Sequence, residues 1–199
     1  MDSALSTATL VELVPQVALA IALAACTGLR AWLPLLLTGT LARAGLMDLG
    51  PSFQFLASGK ALILFTLATV IEVLADKVPA VDHALDAIST VLRPAAGALL
   101  AASVMGTITD PLTALSLGVA VGAPASLVPH AAKAVLRTVS TGLTGGLANP
   151  ALSLAEDAFT LGLFVLAVVV PLLVVLGLLV VTFLIARRLA RPSRTAPAS

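Results

Sequence analysis

The chain has 199 residues, of which 59% are hydrophobic and only 11% are charged. Soluble globular domains carry about 25% charged residues, so this composition excludes a soluble domain that covers its surface with polar side chains. A membrane protein fits instead, because lipid covers its apolar surface. At about 20 residues per span, the length allows one domain of about five to seven helical segments.

We therefore predict an all-α fold, a polytopic integral membrane helical bundle. Residues 1–9 are a polar N-terminal segment, residues 10–188 form a single transmembrane domain, and residues 189–199 form a basic tail that we expect to be disordered. By the positive-inside rule, the arginines after the longest apolar run place the C-terminus in the cytoplasm. The tail is short and lacks aromatic residues, so we predict no nucleic-acid partner.

The first apolar stretch, residues 10–45, is interrupted at "TGLRAWLP". One straight helix over it would measure about 54 Å, whereas the hydrocarbon core is about 30 Å thick. The break at Thr27–Arg30, followed by Pro34, therefore predicts a bent or interrupted pair of helices.

The middle of the chain predicts apolar helices that alternate with two short polar helices. In chain order we expect a loop at 45–52, a span at 60–76, a polar helix at 80–93, apolar segments at 94–109 and 112–128 with a turn between them, and a second polar helix at 130–141.

The last helix begins at "ANP", where we expect Asn149 to cap and Pro150 to take the first helical position. A straight helix from there to Arg187 would measure about 58 Å, so a kink near Pro171 or an interfacial first section is expected. The glycine-rich "TGGLANP" can also present N–H groups to an anion. A plain helix connection is the alternative.

The two polar helices form a candidate internal repeat. A shift of about 51 residues places "HALDAISTVL" over "AVLRTVSTGL", so that Asp82 aligns with Lys133 and Asp86 with Arg137. Each pair stands at i and i+4 on one helical face. The simplest arrangement pairs the acidic stripe with the basic one inside the bundle. The alternative lays both helices flat at the interface, with their charges in water.

Further charges lie outside these helices. Arg30 sits at the helix break, and Glu72, Glu156 and Asp157 are its candidate partners, because a charged arginine in a bundle needs one. His83 adjoins Asp82, but no extended ligand motif accompanies it. We therefore predict no metal site and no cofactor.

Four segments together resemble a family of small bacterial membrane proteins known as domain of unknown function 4126. They are "TGLRAWLPLL", "EVLADKVPAVDHALD", "RPAAGALL" and "GGLANPALSLAED". The resemblance implies a compact polytopic protein of the bacterial inner membrane and assigns no catalytic residue.

We put forward three hypotheses for function. The first is a small transporter or permease for an ion or small, anionic solute, in contact with the bilayer and open to completion as a homodimer. The second is a structural or accessory membrane subunit, and the third is an intramembrane enzyme acting on a lipid phosphate. The residues that would line the transport pathway are Arg30, Glu72, Asp76, Asp82, His83, Asp86, Arg93, Lys133, Arg137, Asn149, Glu156 and Asp157.

Overall fold

The computed structural model describes residues 7–76 and 79–189, with side chains described over 13–76 and 88–188. These residues form eight α-helices, one 3₁₀ helix and one π-helical segment, which confirms the all-α bundle. The elements are α1 Thr7–Thr27, α2 Leu33–Arg43, the 3₁₀ helix Pro51–Ala57, α3 Gly59–Ala75, α4 Pro79–Ser103, α5 Pro111–Leu117, the π-helical segment Gly118–Gly122, α6 Ala123–Thr144, α7 Asn149–Val169 and α8 Pro171–Leu189. The tail beyond residue 189 and residues 1–6 lie outside the described part.

Three helical stretches of the described chain are long and apolar enough to cross a membrane. They are Pro111–Thr144, Asn149–Val169 and Pro171–Arg188. The 3₁₀ helix and α3 bend by 60° at Ser58 and make a fourth candidate span when counted together. Breaks divide the longer apolar runs, so the α-helices outnumber the segments that chain length predicts.

Both predicted helix interruptions are present. α1 ends at Thr27 and α2 begins at Leu33, and the last apolar run divides at Val170, before Pro171 opens α8. α7 begins at Asn149 as expected, but the predicted cap is wrong: no side chain caps this helix start. The Asn149 side chain instead accepts a hydrogen bond from Ser140 and donates one to Thr141 in α6.

The two polar stretches are not separate helices, which corrects the prediction. Residues 80–93 are the first half of α4, which continues through Pro94 to Ser103. Residues 130–141 lie in the second half of α6. Proline is tolerated inside membrane helices because neighbouring groups satisfy the freed backbone positions. The polar half comes first in α4 and last in α6, and the internal repeat stays a prediction.

Glycines bring α4 close to the π-helical segment. A Cβ at Gly118 would lie 2.3 Å from the Ala98 carbonyl oxygen, and one at Gly122 would lie 2.4 Å from the Gly97 oxygen. Small residues at this spacing let helix backbones approach closely in membrane proteins. This contact fixes α4 against the start of α6, and so aligns the helices that carry Arg93 and Lys133.

The outer surface is apolar, and α8 is its most exposed span. Only 6% of its apolar stretch is buried inside the protein. Large side chains such as Leu172, Leu176 and Phe183 are exposed. Exposed apolar surface of this extent is typical of contact with lipid. α1 lies at the centre, where it packs against α4, α6, α7 and α8.

Candidate functional site

The interruption between α1 and α2 is buried inside the bundle. We call residues 28–32 the helix break. Arg30 is 0% exposed and Ala31 is 2% exposed. A helix end leaves backbone N–H or carbonyl groups without partners inside the helix, so a buried break needs outside groups to satisfy them.

Two charged side chains supply those partners, and we call Glu72 and Arg93 the capping pair. Glu72 accepts hydrogen bonds from the backbone N–H groups of Ala31, at 2.9 Å, and Trp32, at 3.3 Å. Arg93 donates to the carbonyl oxygen of Gly28 at 2.8 Å. The carboxylate thus lies at the start of α2 and the guanidinium at the end of α1, which matches the helix dipoles. Nη2 of Arg93 and Oε1 of Glu72 are themselves 3.9 Å apart.

His130 extends the capping pair, and sequence reasoning missed it. Its Nδ1 atom lies 3.0 Å from Nη1 of Arg93. An arginine has no acceptor atom, so Nδ1 must accept the hydrogen bond and the ring proton belongs on Nε2. The available signal was spacing, since His130 precedes Lys133 by three residues and shares its helical face.

A second group of charges lies beside the break, and we call it the central cluster. Its members are Arg30, Asp76, Lys133, Arg137, Glu156 and Asp157. One carboxylate oxygen of Asp76 faces three cations. It lies 3.3 Å from Nζ of Lys133 and 3.2 Å from Nη2 of Arg137, and it also pairs with Arg30.

The other carboxylates come from consecutive residues of α7. Glu156 receives a forked contact from Arg137, with nitrogen–oxygen distances of 3.3 and 3.1 Å, and it lies 3.0 Å from Nζ of Lys133. Asp157 lies 2.6 Å from Arg30. Ser153, one turn earlier, accepts a hydrogen bond from Arg30 at 3.1 Å. Fork-to-carboxylate pairs are strong and directional, so α6 and α7 are held in a defined register.

The charges of the described network balance. Four cationic side chains, Arg30, Arg93, Lys133 and Arg137, meet the four anionic side chains Glu72, Asp76, Glu156 and Asp157. Arg137 and Glu156 each stand about seven residues inside their helices, or roughly 10 Å from the helix ends at 1.5 Å per residue. The cluster therefore lies inside the bundle, away from the connection between α6 and α7.

A cavity of about 590 Å³ reaches the central cluster from the side of α8. It is partly open and is lined by α1, α6, α7 and α8, and apolar side chains such as Phe159 and Leu173 form its walls. Of the residues whose side chains the structure describes, Lys133 and Glu156 are the charged ones in its lining. The mainly apolar cavity thus contacts the charged network at one ion pair, that of Lys133 and Glu156.

The structure brings together most, but not all, of the predicted site residues. Lys133 and Arg137 are buried, at 3% and 6% exposure, as the interior-facing alternative expects. Their acidic counterparts Asp82 and Asp86, and also His83, have side chains outside the described part, so their pairing stays a prediction.

One expectation about partners needs correction. Arg30 binds Asp157 as predicted, but its second carboxylate is Asp76, because Glu72 and Glu156 are engaged by other donors. Asn149, at the first position of α7, binds Ser140 and Thr141 of α6, and its place in a transport pathway stays a prediction.

The comparison with protein families agrees with this picture. The family described as Domain of unknown function (DUF4126) matches residues 17–191. The chain belongs to this family. A search of the curated proteins found no match, and neither did a search of the solved structures. The DUF4126 match covers all the helices that contribute charges to the network, from the α1–α2 break to α7.

Proposed function

We propose that this DUF4126 protein is a small transporter of the bacterial inner membrane that moves an ion or small, anionic solute. The observation that carries this proposal is the buried helix break, which delivers Arg30 to a cluster where three cations meet one oxygen of Asp76. Transporters build their solute sites from interrupted helices of this kind. Ionisable groups inside membrane helices mark pathways for ions and protons.

Arg30 retains hydrogen-bonding capacity within this cluster. Its Nη atoms bind Asp76, Asp157 and Ser153. Its Nε–H group is buried and has no acceptor among the described residues. Buried donors in folded proteins nearly always have a partner, either protein or water. A solute anion or a water molecule beside Arg30 would supply that acceptor.

Exchange of partners at Glu156 supplies a transport step. A carboxylate can accept a proton, whereas the guanidinium groups of Arg30 and Arg137 keep their charge. When Glu156 takes up a proton, Lys133 and Arg137 are left with Asp76 as their described carboxylate partner, and an entering anion replaces the lost charge. One proton would then accompany each anion.

The test measures proton movement in vesicles that contain the purified protein and a trapped pH-sensitive dye. Addition of chloride, nitrate, phosphate or citrate outside should acidify the interior for at least one anion. Glu156→Gln should reduce the rate about tenfold or more, since it removes the proton acceptor. Asp110→Asn is the matched control, because Asp110 caps α5 from an exposed position and Asn also caps well. Vesicles that acidify with none of these anions would overturn the proposal.

A structural or accessory subunit is the second candidate. The one-to-one balance of cations and anions in the described network favours it, because a closed network can hold helices in register without any solute. The Lys133 and Glu156 double variant described in the Discussion separates the two. The enzyme alternative stays a prediction. Dimerisation remains part of the transporter proposal.

A further inference from the structure

The cavity beside the central cluster has no part in the proposed transport step, although it is both large and long. Its volume of about 590 Å³ falls among ligand pockets, which measure about 300–1,000 Å³. Along α7 its lining runs from Leu152 to Leu166, a length of about 21 Å at 1.5 Å per residue. The space is therefore long as well as large, which suits an extended chain.

Polar and apolar lining are separated along this length. Glu156 stands near the start of the α7 wall, and Lys133 faces it from α6. From Phe159 onward the α7 wall is apolar, and so is the α8 wall between Leu173 and Val181. A ligand that fits both parts has a charged or polar head at one end and an apolar chain at the other.

The cluster itself indicates the chemistry of the head. The carboxylate of Glu156 is held by Lys133 at 3.0 Å and by the fork of Arg137 at 3.1 and 3.3 Å. The fork of Arg137 matches a carboxylate group, and Lys133 is the cation that also lines the cavity. A second carboxylate that enters from the cavity meets the same donors once Glu156 is protonated or turns away.

We propose that the cavity binds a single-chain amphiphile with a carboxylate head, of the fatty-acid type. The head lies on Lys133, and the chain extends between α7 and α8. This inference goes beyond transport, because it concerns binding at the cavity and requires no flux.

The experiment uses the full-length protein in nanodiscs of phosphatidylcholine and a palmitic acid that carries a photoactivatable diazirine near its tail. After illumination, mass spectrometry locates the label. The label should attach to cavity walls near Phe159 and Leu178. Unlabelled palmitate should compete about tenfold better than methyl palmitate, because only the free carboxylate makes a charge-assisted hydrogen bond to Lys133.

Two glycines offer a matched pair of cavity variants. A Cβ at Gly177 or at Gly162 meets no atom within 4 Å, so the backbone leaves open space for a side chain to start at both. Gly177 lines the cavity and Gly162 is absent from its lining. Gly177→Phe should abolish the competed labelling, whereas Gly162→Phe should leave it unchanged. Lys133→Gln should retain labelling but lose the preference for palmitate over its ester.

Label spread evenly over exposed α8 residues such as Leu172 and Leu176, and not reduced by palmitate, would mean contact with bilayer tails only and would overturn the inference. Equal competition by acid and ester in the native protein would overturn the carboxylate head. Either failure leaves the proposed transport intact, since that is measured as proton flux. Absence of flux with competed labelling would overturn transport and support binding.

Discussion

The capping pair and the central cluster both bury charged side chains, but they bind different kinds of partner. Glu72 and Arg93 bind backbone groups of the helix break, at Ala31, Trp32 and Gly28. The central cluster binds mainly side chain to side chain, across α3, α6 and α7. Backbone groups cannot change their charge or leave, whereas carboxylates can be protonated or displaced by an anion.

This difference separates structural charges from exchangeable ones. Loss of a capping charge exposes backbone groups that have no other partner among the described residues, so the fold should suffer. Loss of a matched pair from the central cluster leaves no excess charge, so function should suffer first. Burial alone does not distinguish the two groups, because Glu72 and Glu156 are equally buried at 7% exposure. The identity of the partner does.

The largest effect should follow removal of the capping carboxylate. Glu72→Ala leaves the N–H groups of Ala31 and Trp32 without their acceptor and takes a carboxylate from Arg93. Breaking a buried charged contact on one side costs about 3–5 kcal/mol. We expect the purified protein to lose its monodisperse peak in size-exclusion chromatography, with a large fall in the thermal midpoint. Glu72→Gln keeps one acceptor oxygen and should lose less. A thermal midpoint unchanged in Glu72→Ala would remove the capping role.

The next effect tests how the break is positioned. A Cβ at Gly28 would lie 2.0 Å from the carbonyl oxygen of Ser126, so Gly28→Ala must push the break away from α6. Overpacking of this kind costs about 1–3 kcal/mol, measured as a fall in the free energy of unfolding. Gly142→Ala is the matched control, since its Cβ would meet no atom within 4 Å, and helix propensity favours it. Equal stability of the two variants would contradict the close approach.

A third prediction distinguishes the central cluster from the capping pair. The double variant Lys133→Met, Glu156→Gln removes one positive and one negative charge that lie 3.0 Å apart. Replacing a whole buried ion pair is often neutral for stability, so the free energy of unfolding should change by about 1 kcal/mol or less. Proton flux in vesicles should nevertheless disappear.

The single variant Lys133→Met serves as the reference for that double variant. It leaves Glu156 and Asp76 with one described cation fewer, so it should be less stable than the double variant. A double variant that folds normally and retains full flux would contradict the exchange step. Unfolding of the double variant, as severe as in Glu72→Ala, would instead assign the central cluster to structure.

Much of the fold could be predicted from local signals. The interruption near Gly28 and the division before Pro171 both follow from apolar runs that are too long for one straight span. The continuity of α4 through Pro94 could not be predicted in this way. Local rules treat proline as a helix end, whereas α4 continues through Pro94 and packs closely against the π-helical segment just beyond it.

Some features of the candidate site could likewise be predicted from local sequence signals, and others could not. Sequence spacing placed Lys133 and Arg137 on one face, and the family-like segments marked Glu72, Asp76 and Glu156. Which charge binds which partner depends on how distant helices cross, so Asp76 as the centre of three cations could not be predicted. The capping role of Glu72 was equally hidden, because a backbone N–H has no sequence signature.

The smallest effect concerns a bend that uses no charge. Between the 3₁₀ helix and α3, which bend by 60°, Ser58 caps α3 by accepting a hydrogen bond from the N–H of Ala61 at 3.2 Å. Ser58→Ala should cost about 1 kcal/mol, typical of a lost N-cap, and should leave flux unchanged. Ser116→Ala is the control, because that hydroxyl donates to a carbonyl within its own helix, an interaction that adds little. Ser58→Ala could instead destabilise the protein as much as Glu72→Ala does. The greater sensitivity expected of the buried helix break, compared with the partly exposed bend at Ser58, could then not be attributed to its charged caps.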